Sequence, residues 1–346
     1  MWSIDFMIRM KVFIIGGTGL LGSASAAELI RRGHEVRSVA LPPLPQNSVI
    51  PSEMELVFGN YMTMTDEELK EQLSGCESLV FAAGVDERVE FPAPVLDYYI
   101  RYNVAPVERL LRIGKQTGIK RVVIMGSYFA YFAKQWSEMK LTEKHPYIRS
   151  RIMQEEAALA FNGNGMDVMI LELPYIFGIQ PGRKPVWTFL VEAIQGMKGV
   201  TLYTKGGTTM VTVHQAAQAV AGAVEKGKGG TCYPVGWYNM TWKEMLAIFH
   251  KYMGMPRRKV ITIPSFLYLV IGRKLMKEFA ARGIDSGLDM VHFADIQTAN
   301  AFIDKSLIRD ELGVTDDDID AAIGDSVKLC LDALSGKEKL LEMKAE

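Results

Sequence analysis

A doubly wound α/β fold on a parallel sheet, with a smaller second domain, is predicted by three features of this sequence. Short uninterrupted apolar runs recur through its first half, helix-length intervals separate them, and the first run passes straight into a glycine-rich turn. Uninterrupted apolar runs mark strands buried on both faces, and strands spaced by helix-length intervals pair in parallel through crossovers. The strands are Val12–Ile15, Val36–Ala40, Glu55–Phe58, Leu79–Ala83, Val122–Met125 and Val168–Leu171.

The intervening helices carry their own punctuation. Arg31-Arg32-Gly33 closes the first with basic residues and a C′ glycine, and Thr65-Asp-Glu-Glu68 opens a later one with a capping box. After about Leu173 the pattern changes to loops rich in Gly, Pro and aromatic residues from Tyr175 to Trp187. Mixed helices follow, with Thr241-Trp-Lys-Glu244 a further capping box. A smaller second domain is expected there, with Thr208–Gly236 returning to the sheet. The Asp316-Asp-Asp-Ile-Asp run reads as acidic charge at a helix N-terminus, where the macrodipole favours it.

With 346 residues, 49% hydrophobic and 23% charged, the chain is long enough for one large or two ordinary globular domains. A net charge of -1 supplies none of the positive field that nucleic-acid phosphates attract. Cys76, Cys232 and Cys330 are odd in number and widely spaced, which fits neither a disulfide framework nor a thiolate metal site, and they read as reduced and cytoplasmic. His34, His145, His250 and His292 lack metal-ligand spacing, and no metal is assigned. The opening segment has no secretory core, and the later apolar run around Phe266 to Ile271 is far shorter than the roughly 20 residues that span a bilayer. Residues 1–9 precede a second start at Met10 and read as a short extension outside the fold.

The glycine turn carries the first chemistry. Gly17-x-Gly19-x-x-Gly22 satisfies the dinucleotide pattern, and Gly16-x-x-Gly19-x-x-Gly22 its three-spaced variant. Glycines allow the tight turn and let backbone N–H groups approach a pyrophosphate at the positive end of the following helix. Placed between a buried strand and the small-residue helix Ser23-Ala-Ser-Ala-Ala27, the pattern predicts a nucleotide cofactor. The second strand ends Val39-Ala40-Leu41-Pro42, without the acid that would accept hydrogen bonds from the ribose of NAD. Glu35 lies at the wrong end of that strand. Arg37 is the nearest base to a 2′-phosphate, so NADP is slightly favoured over NAD.

Several motifs in order resemble an extended short-chain dehydrogenase/reductase of the NAD(P)-dependent epimerase/dehydratase type. They are Gly16–Gly22, Phe81-Ala-Ala-Gly84, Asn103 before a Leu110-Leu111 helix, Gly118-Ile-Lys-Arg-Val-Val-Ile-Met-Gly-Ser127, and Leu173-Pro174-Tyr-Ile-Phe-Gly178. The resemblance covers about Lys11 to Val235. It implies an NAD(P)-binding Rossmann domain over 10–174 and 208–236 and a substrate domain over 175–207 and 237–346. It also implies a Ser that bonds the substrate oxygen, a Tyr that moves the proton, and a Lys that holds the ribose and lowers the Tyr pKa.

Ser127 falls at the family's Ser position. Tyr147-Ile-Arg-Ser-Arg151 falls where the family has Tyr-x-x-x-Lys, so Arg replaces the lysine. Spacing i, i+4 puts both on one helix face, where a cation still stabilises a phenolate, but a guanidinium is planar and does not join a proton relay. The remaining cofactor contacts implied are Gly16, Gly17, Thr18, Gly19, Leu20, Leu21 and Gly22, then Arg37, Ala40, Leu41, Asn60, Tyr61, Ala82, Ala83, Gly84, Asn103, Pro174 and Ile176, with Tyr147 and Arg151. Substrate contacts are placed at Gly84, Ser127, Tyr128, Phe129, Phe177 and Trp187. The aromatic cluster of Tyr128, Phe129, Tyr131 and Phe132, at the carboxyl edge of a parallel sheet, suits an apolar or ring-shaped small molecule. His214 reads as structural. Glu172 replaces an Arg frequent in relatives, without a reason visible in the sequence.

The function expected is an NAD(P)-dependent oxidoreductase acting on a carbonyl or alcohol, with Tyr147 as proton donor or acceptor. A sugar-nucleotide epimerase or dehydratase is the enzyme alternative, with Arg183-Lys184 and Arg257-Arg258-Lys259 the bases available to a diphosphate. A non-catalytic NAD(P)-binding sensor or scaffold, motivated by Arg151, is the alternative of another class. The resemblance further implies a homodimer through residues 95–117 and 147–162.

Overall fold

The computed structural model describes residues 9–44, 47–337 and 340. Residues 1–8 lie outside it, and with them most of the expected N-terminal extension.

Seven parallel strands form the central sheet: β1 (Lys11–Ile15), β2 (Glu35–Ala40), β3 (Glu55–Phe58), β4 (Ser78–Phe81), β5 (Arg121–Met125), β6 (Asp167–Glu172) and β7 (Cys232–Pro234). Their order across the sheet is β3-β2-β1-β4-β5-β6-β7, the doubly wound arrangement with its reversal between β1 and β4. All six expected strands are present within a residue or two of their expected limits.

Alternation along each strand builds two cores. In β1, Val12 and Ile14 pack on one face with Ala26 and Leu29 of helix α1 (Leu20–Arg31), while Phe13 and Ile15 pack on the other with Leu69 and Leu73 of α2 (Asp66–Leu73). That second face also receives Val107, Leu110, Leu111 and Ile113 of α3 (Ala105–Thr117). These apolar side chains are therefore spent on the chain's own sheet.

Helix α4 (Tyr128–Gln135) leaves the end of β5, and α5 (Pro146–Leu159) precedes β6. The capping box expected at Thr65 is formed, with Thr65 Oγ1 accepting from the Glu68 N–H and Glu68 accepting from the Thr65 N–H. Gly33 has φ +90, as a C′ glycine requires.

Beyond β6 a smaller sheet forms. Gly207–Thr212 pairs in parallel with Tyr175–Phe177 and Asn300–Ala301, and antiparallel with Tyr238–Thr241. Of the stretch expected to return to the main sheet, Cys232–Pro234 does so as its edge strand, whereas Gly207–Thr212 stays in the small sheet. Helices α6 (Thr188–Gly196), α7 (Val213–Lys226), α8 (Trp242–Tyr252), α9 (Ser265–Ala281) and α10 (Ile319–Leu334) follow. Thr241 and Asp318 cap α8 and α10 at the acidic starts read from the sequence. Helix α7 packs on the first-lobe core through Ala216, Ala219, Val220 and Ala223. Among the described residues, no helix is long and apolar enough to cross a membrane.

Candidate active site

The carboxyl edge of the sheet gathers most of the expected site. The turn after β1 is a cradle that a side chain would fill. Gly16 has φ +89, and a Cβ on Gly22 would lie 2.1 Å from the Gly16 carbonyl oxygen. Helix α1 then begins at Gly19 with no side-chain cap and no acid in its first turn, which leaves backbone N–H groups for an anion. This geometry fits a dinucleotide pyrophosphate. Gly17 N–H donates to Ser38 Oγ at 3.1 Å, and Ser38 Oγ–H donates to the Ile14 carbonyl at 2.8 Å, so β2 anchors the turn from beneath. Ala82 lies against Gly16, Ala40 ends β2 with Leu41 after it, and Asn60 and Tyr61 follow the end of β3 at the same edge.

Arg37 is a correction. Its Nε sits 2.9 Å from Glu55, and its Nη1 donates to the Gln72 carbonyl at the C-terminal end of α2. Helix α2 runs antiparallel to the strands, so its end lies at the amino edge of the sheet, away from the glycine turn. The base that favoured NADP is thereby turned from the cofactor. Asn103 also takes another role. Its Oδ1 accepts from the Val85 N–H at 2.8 Å and its Nδ2 donates to the Val85 carbonyl at 2.9 Å, so the amide braces the loop after Gly84.

Tyr147 and Arg151 are brought together on α5. Both are buried, and the Tyr147 hydroxyl accepts a hydrogen bond from Arg151 Nε at 3.0 Å. The guanidinium is oriented from behind: its Nη1 donates to Gln154 Oε1 at 2.8 Å, and Gln154 Nε2 donates to the Asn103 carbonyl at 2.7 Å. Gln154 was missed in the sequence, where one further i+3 step along the helix face was the available signal. Burial pushes the Tyr147 phenol above its ordinary pKa, and the Arg151 charge opposes that rise without overcoming it. The hydroxyl therefore holds its proton at neutral pH. Ser127 caps α4, its Oγ accepting the Phe129 N–H at 3.4 Å, which leaves its own O–H available to donate.

Aromatic side chains surround this pair. Tyr99 meets the Tyr147 ring edge to face at 5.4 Å and Phe129 does so at 6.3 Å, within a core that also contains Tyr128, Phe132 and Leu288. Phe177 and Trp187 are a second correction. They stack on each other at 4.5 Å inside the second-lobe core, with Trp187 Nε1 bonded to the Ile176 carbonyl, and the strand Tyr175–Phe177 hands only Tyr175 to the aromatic wall beside Tyr128. The Asp86-Glu87-Arg88 loop, which sequence reasoning did not single out, lies nearby. Burial and the neighbouring Asp86 raise the Glu87 carboxyl, while Arg88 is paired with Asp86 and reaches the Val186 carbonyl at 3.1 Å.

The replacement at Glu172 now has a cause. Lys134 of α4 lies 2.7 Å from Glu155 and 2.8 Å from Glu172, so a lysine from another helix supplies a cation to two buried carboxylates. His214 is exposed and sits 3.4 Å from Asp317, outside the site.

Relatives of this chain span several chemistries. A ketoreductase of Stigmatella aurantiaca, named for 4-hydroxy-2-methyl-3-oxo-4-farnesyl-3,4-dihydroquinoline-1-oxide, is 25% identical over 65% of this chain and 67% of its own length. UDP-glucose 4-epimerase of Corynebacterium glutamicum is 30% identical over 35% of this chain and 36% of its own. A 3-beta-hydroxysteroid dehydrogenase of Mycolicibacterium neoaurum is 26% identical over 34% and 32%. Among solved structures, gox2253 matches with TM-score 0.72 at 20% identity, over 96% of this chain and 100% of that one. MoeE5 in complex with UDP-glucose and NAD matches with TM-score 0.63 at 18% identity, over 94% and 99%. The fold is shared with both solved structures. Residues 12–236, from the first strand through the edge strand of the sheet, match one family throughout, and the chain belongs to the NAD dependent epimerase/dehydratase family.

Proposed function

We propose that this enzyme is an NAD(P)-dependent reductase of an apolar, ring-shaped ketone, or works in the reverse sense on the corresponding alcohol. The observation that carries this reading is the buried Tyr147 hydroxyl, held by Arg151 Nε at 3.0 Å and walled by aromatic rings. Bound at the glycine turn and the carboxyl edge of β4 and β5, the nicotinamide cofactor supplies or accepts the hydride. Leu20 and Leu21, in the uncapped first turn of α1, would hold its pyrophosphate through backbone N–H groups, while the Gly19 N–H closes the turn on the Gly16 carbonyl at 3.0 Å.

Tyr147 gives its proton to the substrate oxygen. Arg151 accompanies the phenolate that results, in a site where burial strengthens the attraction. Ser127 donates a second hydrogen bond to the same oxygen, and the rings of Tyr99, Tyr128 and Phe129 exclude water. A sugar-nucleotide substrate would bring a doubly charged diphosphate. Of the bases once available to one, Arg258 is spent on the Met197 and Val200 carbonyls, which supports the reductase over the epimerase reading.

Steady-state turnover of NADH or NADPH with a panel of cyclic ketones tests this. Tyr147→Phe is expected to lower kcat/KM by roughly 100-fold or more while nucleotide affinity is unchanged. A Tyr147→Phe enzyme as fast as wild type overturns the assignment. Tight nucleotide binding with no turnover on any ketone, alcohol or sugar nucleotide favours the sensor reading instead.

A further inference from the structure

The loop from Gly178 to α6 runs back over the glycine turn. Gln180 is buried there, and its Nε2 donates to the Thr18 and Val49 carbonyls at 3.5 and 3.4 Å. Arg183 goes further: its Nε donates to the Thr18 carbonyl and its Nη2 to Thr18 Oγ1, both at 3.2 Å. Among the described residues no carboxylate offsets this cation. Burial alone pulls its pKa below the guanidinium's ordinary value.

Thr18 precedes Gly19, the uncapped start of α1. A second-lobe guanidinium is thus held, with no carboxylate partner among the described residues, against the turn where a pyrophosphate fits. Desolvating a cation costs free energy unless an anion meets it, and a guanidinium recognises phosphate through paired N–H donors.

We propose that Arg183 is a ligand of the cofactor's pyrophosphate, delivered by the second lobe to complete a cradle that the glycine turn only half encloses. The inference rests on the cofactor reading above. It moves Arg183 from the substrate side, where the sequence made it available to a nucleotide sugar, to the cofactor side. It also gives the second lobe a stake in cofactor binding, because the loop that leads to α6 closes over the bound phosphates.

Calorimetric titration of NADH, NADPH and, separately, of UDP into wild type, Arg183→Gln, Arg183→Lys and Gln180→Leu tests this without any turnover. Arg183→Gln is expected to weaken NADH roughly 10- to 100-fold. It should also flatten the salt dependence of the dissociation constant, as loss of a phosphate cation does. Arg183→Lys should recover part of the affinity. Gln180→Leu removes a neutral bridge from the same loop to the same carbonyl, so its NADH affinity should stay within a few-fold of wild type. Equal losses in Arg183→Gln and Gln180→Leu would mean that Arg183 only fastens the loop, and the proposal falls. It falls too if Arg183→Gln binds NADH like wild type, or if that variant loses UDP affinity while keeping NADH. Wild type that binds neither NADH nor NADPH overturns the cofactor reading itself, a result distinct from the others.

Discussion

His145 sits at the N-cap of α5, just before Tyr147, and its Nδ1 accepts the Asp289 N–H at 3.1 Å. An imidazolium has no lone pair to accept with. Burial accordingly lowers its pKa from 6.5 to about 4. The folded value lies below the unfolded one, so the unfolded chain binds more protons between those limits. Its contribution is complete above pH 6.5 and is lost as pH falls towards 4. Urea unfolding at pH 7.5 and pH 5 should show wild type losing about 2 kcal/mol more than His145→Gln does. The variant is the needed reference because Glu172, raised to about 7, acts in the opposite sense and loses stability as pH rises. Equal pH slopes in the two proteins would remove this role from His145. Nothing in the local sequence revealed it, since the partner amide lies 144 residues away. The Tyr147–Arg151 contact was legible because i, i+4 spacing is set within one helix, whereas Gln154, Lys134 and Arg183 act through partners that only the fold supplies.

At the scale of elements, strands and caps were readable wherever a short segment decides its own conformation. The six strands announced themselves because both faces of a parallel sheet are apolar. What stayed hidden is how elements lock together. Lys134 joins α4 to the buried carboxylates of α5 and β6. Lys134→Met would strand two buried like charges, and equilibrium unfolding at pH 8 should show a loss of about 3 kcal/mol that shrinks at pH 5, where one carboxyl takes a proton. A loss independent of pH would assign the effect to packing instead. Gly222 of α7 shows the same kind of lock. A Cβ there would lie 2.0 Å from the Leu312 carbonyl oxygen, so the helix Ser306–Leu312 rests backbone to backbone on α7. Gly222→Ala should destabilise by about 1–3 kcal/mol through this clash, despite the better helix propensity of alanine. A stabilised variant would show that the two helices can part at no cost.

Across the whole molecule, the two lobes are interleaved rather than placed in series. The helix Ser306–Leu312, from late in the chain, buries Ile308 and Leu312 in the first-lobe core beside Val12 and Ile14. The Gly287 carbonyl accepts the Tyr147 N–H at 2.9 Å, and Arg183 reaches Thr18. Sequence reading gave 10–174 and 208–236 to the first lobe and 175–207 and 237–346 to the second, so it left residues 306–312 in the second, because composition is blind to a late helix that returns to an early core. The consequence is thermodynamic. If first-lobe packing needs residues 306–312, the second lobe cannot unfold and leave the sheet intact. With Trp2, Trp136 and Trp237 replaced by Phe, because Trp237 lies in the first-lobe core, Trp187 and Trp242 report on the second-lobe core alone, while far-ultraviolet circular dichroism reports on the helices of both lobes. Urea transitions followed by tryptophan fluorescence and by circular dichroism should therefore coincide in midpoint and slope, as one cooperative unit requires. Transitions that separate would mean that the late helix docks weakly. The first-lobe sheet would then stand without it, and the coupling drawn from Ile308 and Leu312 would be wrong.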